Sequence, residues 1–272
     1  MGLGVLSSIT RMGKYEPFDL QVARGQITGH TGVFRFGWAN SIGTSPQTIS
    51  TTVAAGAVYA YPAAATVMKV SSASANDTAA GTGARTILVV GLDADYKSQN
   101  EVITLNGQTA VNTTKSYLRI TYTELLTTGS GNAQAGVIYI GTGAVTAGVP
   151  ATVYWQSETT YNNFSFAGFT VPAGYTAYIT SYTITSQATT ANINVSLGLV
   201  IYEYGKTYSE YQSTARLTSN GNFDRHFDSP FAVDEKSDVE LRAWASTGSA
   251  VNITGEIQYT LIQNSVDNSV TM

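Results

Sequence analysis

The stretch Ile193-Asn-Val-Ser-Leu-Gly-Leu-Val-Ile201 decides the fold class. Its odd positions are all large aliphatic residues, and its even positions begin with Asn194, Ser196 and Gly198. Because successive side chains of a strand point to opposite faces of a sheet, this alternation predicts a strand with one buried face. The surrounding region, from Phe169 to Ile262, repeats the pattern several times, which favours an all-β protein.

Two further runs near the end of the sequence alternate in the same way. In residues 238–245 the odd positions are apolar and the even positions include Asp, Glu and Arg, and residues 251–262 resume the pattern after Ser-Thr-Gly-Ser-Ala. A short glycine-containing loop between two alternating runs indicates a β-hairpin. We therefore expect the two runs to pair directly and to turn both apolar sets toward one core, which a second layer covers.

Strand-like runs separated by turn signals also fill the middle of the sequence. Asn106-Gly107 is a tight-turn dipeptide, and Pro172 and Gly174 make a turn ahead of a strand from Tyr175 to Ile184. Several short strands of this kind indicate a sandwich or jelly roll. We predict two tandem β-sandwich (jelly-roll-like) domains preceded by an N-terminal arm. The predicted boundaries are 1–58 for the arm and contact segment, 59–150 for the first domain and 151–272 for the second.

The composition argues against several classes of function. Charged residues make up 12% of the 272 residues, about half the usual share, and the formal net charge is −4 with a pI near 5.1. Without a basic surface to neutralise phosphates, nucleic acid is not an expected partner. No apolar run of roughly 18 residues is present, so we expect no membrane span. Cysteine is absent, which excludes disulfides and thiolate ligands.

The N-terminal segment combines an irregular opening with a glycine-rich strand. Residues 1–17 show no clear period and lack the features of a secretory signal, so we interpret them as an arm of a protein made in a cytoplasm. Glycines interrupt residues 18–38, and glycine in a strand lets another backbone approach closely. We interpret this segment as a contact surface with another chain, with an edge hairpin of the first domain as an equal alternative. The candidate partner-contact residues are Phe18, Arg24, Phe34, Phe36 and Trp38, and the last three are expected to line one face of a short strand.

No constellation of residues in the sequence predicts catalysis or a cofactor. Asp224, His226 and Asp228 would project from one side of a strand and suit a divalent ion, but we favour a polar strand face. Asp93 and Asp95 offer oxygen ligands for Ca²⁺ without the spacing of an EF-hand loop, and we favour a turn. No serine lies in a Gly-x-Ser-x-Gly motif. We therefore predict no enzyme, no cofactor and no metal site.

Aromatic residues gather in two places in the second half of the chain. One cluster runs from Tyr154 to Phe166 and the other from Tyr202 to Tyr211. Such residues can stack on sugars or anchor a protein partner, although aromatic residues on strands more often pair across the sheet. We favour cross-strand packing for both clusters, and of the two binding roles we favour a protein interface over a glycan.

Several segments of the sequence share turn and strand motifs with a known group of proteins. They are Phe18-Asp-Leu-Gln-Val-Ala-Arg-Gly-Gln-Ile-Thr-Gly-His30 with Phe36-Gly-Trp-Ala-Asn40, Ser74-Ala-Asn-Asp-Thr-Ala-Ala-Gly-Thr-Gly-Ala-Arg-Thr86, Val102-Ile-Thr-Leu-Asn-Gly107, Val171-Pro-Ala-Gly-Tyr175 and Glu235-Lys-Ser-Asp238. In these segments the chain resembles virion structural proteins of marine tailed bacteriophages. The resemblance implies small β-sandwich modules that decorate a capsid or attach fibres to a tail, and it assigns no binding residues.

The residues and the resemblance lead to one functional expectation. We expect a non-enzymatic virion structural protein that is assembled in the host cytoplasm and docks on the head shell as a capsid decoration protein. The expected partners are the major capsid protein or tail proteins, together with further copies of the chain in a symmetric homo-oligomer such as a trimer. The alternative is a tail, baseplate, fibre-adaptor or receptor-binding protein.

Overall fold

The computed structural model describes residues 16–52, 57–160, 162–188, 193–218, 220–247 and 251–265. Within these ranges the chain forms one short helix and sixteen strands, so the prediction of an all-β protein is confirmed. The elements are α1 (Phe18–Ala23), β1 (His30–Ala39), β2 (Gln47–Thr48), β3 (Thr66–Ser72), β4 (Ala84–Leu92), β5 (Ser98–Thr104), β6 (Val111–Tyr117), β7 (Arg119–Thr128), β8 (Ile138–Thr146), β9 (Val149–Gln156), β10 (Gly168–Thr170), β11 (Tyr175–Ala188), β12 (Asn194–Tyr202), β13 (Glu210–Thr218), β14 (Gly221–Val233), β15 (Asp238–Ala245) and β16 (Val251–Gln263).

The described strands form four separate sheets and not a clear tandem of two sandwiches. Sheet I has the order β1-β16-β11-β14, and sheet II has the order β10-β15-β12-β13, with β2 paired to β15 beyond the end of β10. Sheet III has the order β6-β3-β8-β9, and sheet IV has the order β5-β4-β7. All of the strand pairs are antiparallel.

Two hydrophobic clusters divide these sheets into two units. One cluster draws residues such as Ile184, Leu199 and Leu241 from sheets I and II, which we call the outer unit. The other draws residues such as Met68 and Ile87 from sheets III and IV, which we call the inserted unit. Each cluster contains many fully buried aliphatic side chains, and each such side chain contributes roughly 1.5–3 kcal/mol when it leaves water.

The order of the strands differs from the tandem arrangement expected from the sequence. Strands β1 and β2, which fall in the predicted arm and contact segment, pair with β16 and β15 of the outer unit. The chain then builds all seven strands of the inserted unit before it returns at β10. The predicted boundary between residues 150 and 151 lies inside β9. Residues 1–15 of the predicted arm lie outside the described residues.

The predicted hairpin between residues 238–245 and 251–262 is wrong. Strand β15 lies in sheet II and β16 in sheet I, so the chain crosses from one sheet to the other between them. Both apolar sets still face the same hydrophobic cluster, because residues of both sheets form it. The alternation therefore identified the buried faces correctly but not the pairing of the strands.

Glycine in β1 does allow a close approach of backbone, as the sequence suggested. A Cβ atom on Gly37 would collide with the backbone of Ile49 and Ala167, which are themselves joined by a hydrogen bond of 3.0 Å from the Ala167 amide to the Ile49 carbonyl. The backbone that approaches is thus the chain's own, and a side chain at position 37 would force β1 away from it.

Candidate interaction surface and groove

Helix α1 and strand β1, which lie at the N-terminal end of the described residues, place apolar side chains in solvent. Val22 is the buried residue of α1 and lies beside Gly32 of β1, which holds the helix against the strand. Phe18 and Leu20 lie on the exposed part of the helix, with exposed fractions of 48% and 46%, and Phe34 of β1 is 48% exposed. We call Phe18, Leu20 and Phe34 the apolar end.

Three predicted contact residues form a row along one face of β1. The rings of Phe34 and Phe36 are 6.1 Å apart and 25° from parallel, and those of Phe36 and Trp38 are 5.9 Å apart and 14° from parallel. This aromatic row follows from the two-residue period of the strand, which turns Val33 and Ala39 toward the hydrophobic cluster instead. The sequence predicted this row, and its contact with a partner stays a prediction.

The other two predicted contact residues have neighbours of their own. The ring of Phe18 meets the imidazole of His30 edge to face, with 5.8 Å between the ring centres. Arg24 follows the last residue of α1 and forms an exposed ion pair with Glu16. Exposed ion pairs contribute little to stability, so the Arg24 side chain stays accessible for other contacts.

A groove of about 630 Å³ opens beside the far end of the aromatic row. Its volume lies within the range of small-ligand sites, roughly 300–1,000 Å³. The groove runs between sheet I and the segment that leads from the inserted unit back to β10. The lining residues are Phe36, Trp38, Asn40, Glu158, Thr160, Asn163, Gln187, Asn252, Ile253 and Thr254.

The outer face of sheet I continues from the aromatic row as a polar surface. In register with Phe34, Phe36 and Trp38 of β1 stand Gln258, Glu256 and Thr254 of β16, all three of which are exposed. Directly opposed residues of antiparallel strands share a face, so an aromatic edge borders a surface of amides, hydroxyls and carboxylates.

A buried ion pair joins the outer unit to the inserted unit. Arg119 of β7 donates to the Asp238 carboxylate of β15 through Nε at 3.0 Å and through an Nη atom at 2.8 Å. Both side chains are less than a tenth exposed, and the guanidinium also lies 4.6 Å from the ring centre of Tyr61. Burial lowers the pKa of Arg119, but the hydrogen bonds and charge of Asp238 outweigh it and raise the pKa.

A second buried pair lies next to the first on β15. The fully buried carboxylate of Glu240 accepts from Arg242 at 2.6 Å and from the Thr48 hydroxyl. Burial raises the pKa of Glu240, and the charge of Arg242 and the hydrogen bonds offset this only in part. Arg242 also donates to the Tyr202 hydroxyl. The contact between the two units, which we call the charged junction, removes these charges from water. The ion pairs and hydrogen bonds offset the free-energy cost of that desolvation.

The acidic residues considered as ion ligands have structural roles. Asp93 accepts from the backbone amides of Asp95 and Lys97 at 2.8 and 2.9 Å, which is the turn that the sequence favoured. Asp224 accepts from the Thr183 hydroxyl at 2.9 Å, and His226 lies 3.9 Å from it on an exposed face. Among the described residues no group of three or more acidic, histidine or cysteine side chains has a metal-binding arrangement.

The two aromatic clusters of the second half differ in burial. Trp155, Phe164 and Phe166 are buried in the cluster of the inserted unit, which agrees with the packing role that we favoured. Tyr204 and Tyr208 are instead 60% and 56% exposed. Tyr161, which belongs to the first cluster, lies outside the described residues. In the described ranges the chain has no helix with the length and apolar character needed to cross a membrane.

Sequence reasoning missed the charged junction and most of the groove. Asp238, Glu240 and Arg242 were read as a polar face of β15, and Arg119 carried no signal on its own. Opposite charges two residues apart on a strand, as in Glu240 and Arg242, are the one local pattern that could have indicated a buried pair. The groove brings together residues from β1, β11, β16 and the segment after β9, and no linear pattern connects them.

Comparison with known proteins does not place the chain in a family. No known protein family and no curated protein sequence matches it. VP2 in the subviral particle of infectious bursal disease virus is similar over 92% of this chain and 78% of that one, at 9% identity and a TM-score of 0.24. The structure of the Gx strain of the same virus is similar over 93% and 78%, at 10% identity and a TM-score of 0.19. TM-scores this low do not establish a common fold.

Proposed function

We propose that the chain is a non-enzymatic virion structural protein of a tailed bacteriophage, which docks on the head shell as a capsid decoration protein. The observation that carries the proposal is the strand order of the outer unit. If its eight longer sheet-forming strands, β1 and β10 to β16, are numbered one to eight, sheet I reads 1-8-3-6 and sheet II reads 2-7-4-5. We infer an eight-stranded jelly roll from this order, a fold common in viral capsid and lectin domains. We infer a second β-sandwich from sheets III and IV.

Fold alone does not define function, so the proposal also draws on the surface. The resemblance of the sequence to virion proteins of marine tailed phages supports a place in the particle. The apolar end, formed by Phe18, Leu20 and Phe34, supplies an exposed surface of the kind that marks protein contacts. The buried pair of Arg119 and Asp238 fixes the two units to each other, which suits a rigid attached module. We further propose a symmetric homo-oligomer, with a trimer as the expected form.

To test the proposal, purified protein is added to purified particles that lack it, and the fraction of protein bound to the particles is measured. The Phe18→Ala/Leu20→Ala/Phe34→Ala variant removes three exposed side chains, and we expect its bound fraction to fall by roughly tenfold or more, because central apolar residues dominate interface affinity. The Val102→Ala/Leu126→Ala variant is the matched control, since these side chains of the inserted unit are 57% and 43% exposed. Equal occupancy of the two variants and the wild type would contradict docking through the apolar end.

A tail, baseplate, fibre-adaptor or receptor-binding role is the second candidate. In this role the exposed tyrosines Tyr204 and Tyr208 would face the host, because tyrosine is enriched at protein interfaces. Cryo-electron microscopy of the intact particle distinguishes the two candidates directly. Density for this chain on the head shell supports decoration, and density confined to the tail supports the alternative.

A further inference from the structure

The groove beside the aromatic row has a lining that differs from the apolar end. Phe36 and Trp38 provide two nearly parallel rings, both partly buried and therefore held in place. Aromatic faces pack well against the C–H faces of pyranose rings, which are apolar although the ring edges carry hydroxyls. The apolar part of the groove is thus a platform along one wall and not a continuous apolar surface.

The remaining walls are rich in side chains that can both donate and accept hydrogen bonds. Within the described part of the chain, no protein group is hydrogen-bonded to the side chains of Asn40, Gln187 or Thr254, and all three are exposed at the groove. Amides and hydroxyls match sugar hydroxyls, since both partners carry donors and acceptors. In contrast, Asn252 accepts from the Ser41 amide at 3.1 Å and Glu158 accepts from Thr160, so these residues shape the walls.

The charge of the groove decides between kinds of sugar. Among the described residues that line it, none is lysine or arginine, and Glu158 contributes a carboxylate. Glu256, on the same face of sheet I, adds a second carboxylate nearby. An anionic sugar would meet like charge without a compensating cation, which costs binding energy. A neutral sugar avoids that cost.

We propose that this groove binds a neutral oligosaccharide, with Trp38 and Phe36 as the stacking platform and Asn40, Gln187 and Thr254 as hydrogen-bonding groups. The inference does not rest on the proposed docking role, because the apolar end and the groove use different residues. Phe34 belongs to the aromatic row but does not line this groove; it lines a smaller adjoining groove, which shares Phe36 and Asn163 with the larger one.

The experiment is titration of the full chain with linear hexasaccharides of glucose, mannose, galactose and N-acetylglucosamine, and with a galacturonic acid hexamer as the anionic probe. Calorimetry and tryptophan fluorescence measure binding. We expect at least one neutral hexasaccharide to bind more tightly than the anionic one. Trp38→Ala should lower the association constant by roughly tenfold or more, and Gln187→Ala by roughly fivefold.

Two variants keep the result interpretable. Gln187→Ala alters an exposed position of β11 and leaves the fold intact even if Trp38→Ala does not. Val102→Ala removes an exposed side chain of the inserted unit that does not line the groove, and it should leave sugar binding unchanged. No binding of any neutral hexasaccharide at about 10 mM, tighter binding of the anionic probe, or wild-type affinity in both Trp38→Ala and Gln187→Ala would overturn the proposal. Loss of particle occupancy in the variant of the apolar end, with sugar binding retained, would separate the two functions.

Discussion

Strands β14 and β15 carry similar alternating sequences but end in opposite environments. In β14 the polar residues Asn222, Asp224 and His226 are exposed, as the alternation suggests. In β15 the corresponding set of Asp238, Glu240 and Arg242 is buried, and so is the apolar set on its other face. Alternation therefore shows that a strand has two chemically different faces, but not which of them meets solvent.

The position of each strand in the molecule explains the difference. Strand β14 is the edge of sheet I, and its outer face has no covering layer among the described residues. Strand β15 lies inside sheet II, and the inserted unit covers its polar face with Arg119 and with Tyr61, whose ring lies 5.9 Å from that of Tyr202. Burial of a charge costs free energy unless the charge is paired. The polar face of β15 can therefore be buried because its charged side chains form ion pairs.

The largest expected effect comes from removing one partner of the buried pair. Asp238→Ala leaves the Arg119 guanidinium buried without its carboxylate, and we expect the free energy of unfolding to fall by about 3–5 kcal/mol. Urea denaturation of Asp238→Ala and of the wild type measures this difference in the free energy of unfolding. Asp224→Ala is the control on β14, where the side chain is half exposed, and we expect a change of about 0.5 kcal/mol or less. Similar losses of stability in Asp238→Ala and Asp224→Ala would contradict the distinction between a buried, paired face of β15 and an exposed face of β14.

Replacing both partners of the pair sharpens the comparison. The Arg119→Met/Asp238→Leu variant removes both buried charges, and we expect it to regain most of the stability that Asp238→Ala loses, because no unpaired charge remains. A double-mutant cycle with Arg119→Met and Asp238→Leu alone should give a coupling energy of about 2–3 kcal/mol. Additive losses would instead show that the two side chains act independently.

The smallest of the three effects is expected at high pH. Burial raises the pKa of Tyr259 from its ordinary value of 10.0 to about 12. The folded state therefore favours the protonated phenol, so this stabilisation is complete below pH 10 and is lost as the pH rises from 10 to 12. At pH 12, where the phenol of the folded protein is half ionised, the loss is about 2 kcal/mol.

Tyr259→Phe isolates the contribution of that one hydroxyl. The phenyl ring keeps the packing against Phe169, whose ring centre lies 3.7 Å away, but it has no proton to lose. Denaturant midpoints measured from pH 9 to 12 should fall less steeply in Tyr259→Phe than in the wild type. Tyr204→Phe, at a position that is 60% exposed, is the control. Identical slopes in Tyr259→Phe and the wild type would show that the hydroxyl does not titrate in this way.

The local features of the fold could be predicted from the sequence, whereas its long-range pairings could not. Alternation located β12 and assigned its buried face, Pro172 and Gly174 marked the turn ahead of β11, and Asn106-Gly107 marked a turn in which Gly107 has a φ of 60°. Pairing of β1 with β16 depends on which distant strands share a core, and periodicity contains no such information. For the same reason a short loop after β15 suggested a hairpin that the structure does not contain.

The candidate surface was predicted only where it follows a single strand. Phe34, Phe36 and Trp38 share one face because they are two residues apart, so the sequence was enough to place them in a row. Asn40, Gln187 and Thr254 reach the same groove from three different parts of the chain. Their convergence depends on sheet I, which could not be assembled before the pairings were known.

The pairing of β1 with β16 has a consequence for synthesis. The first strand that the structure describes pairs along its whole length with the last one, from His30 opposite Ile262 to Ala39 opposite Ile253. During synthesis on the ribosome, the seven contiguous strands of the inserted unit are therefore complete before β16, the partner of β1, has been made. Until β16 has been synthesised, an unpaired edge with aromatic side chains is open to neighbouring nascent chains, so the emergence of β16 is the step that protects this edge from misassembly.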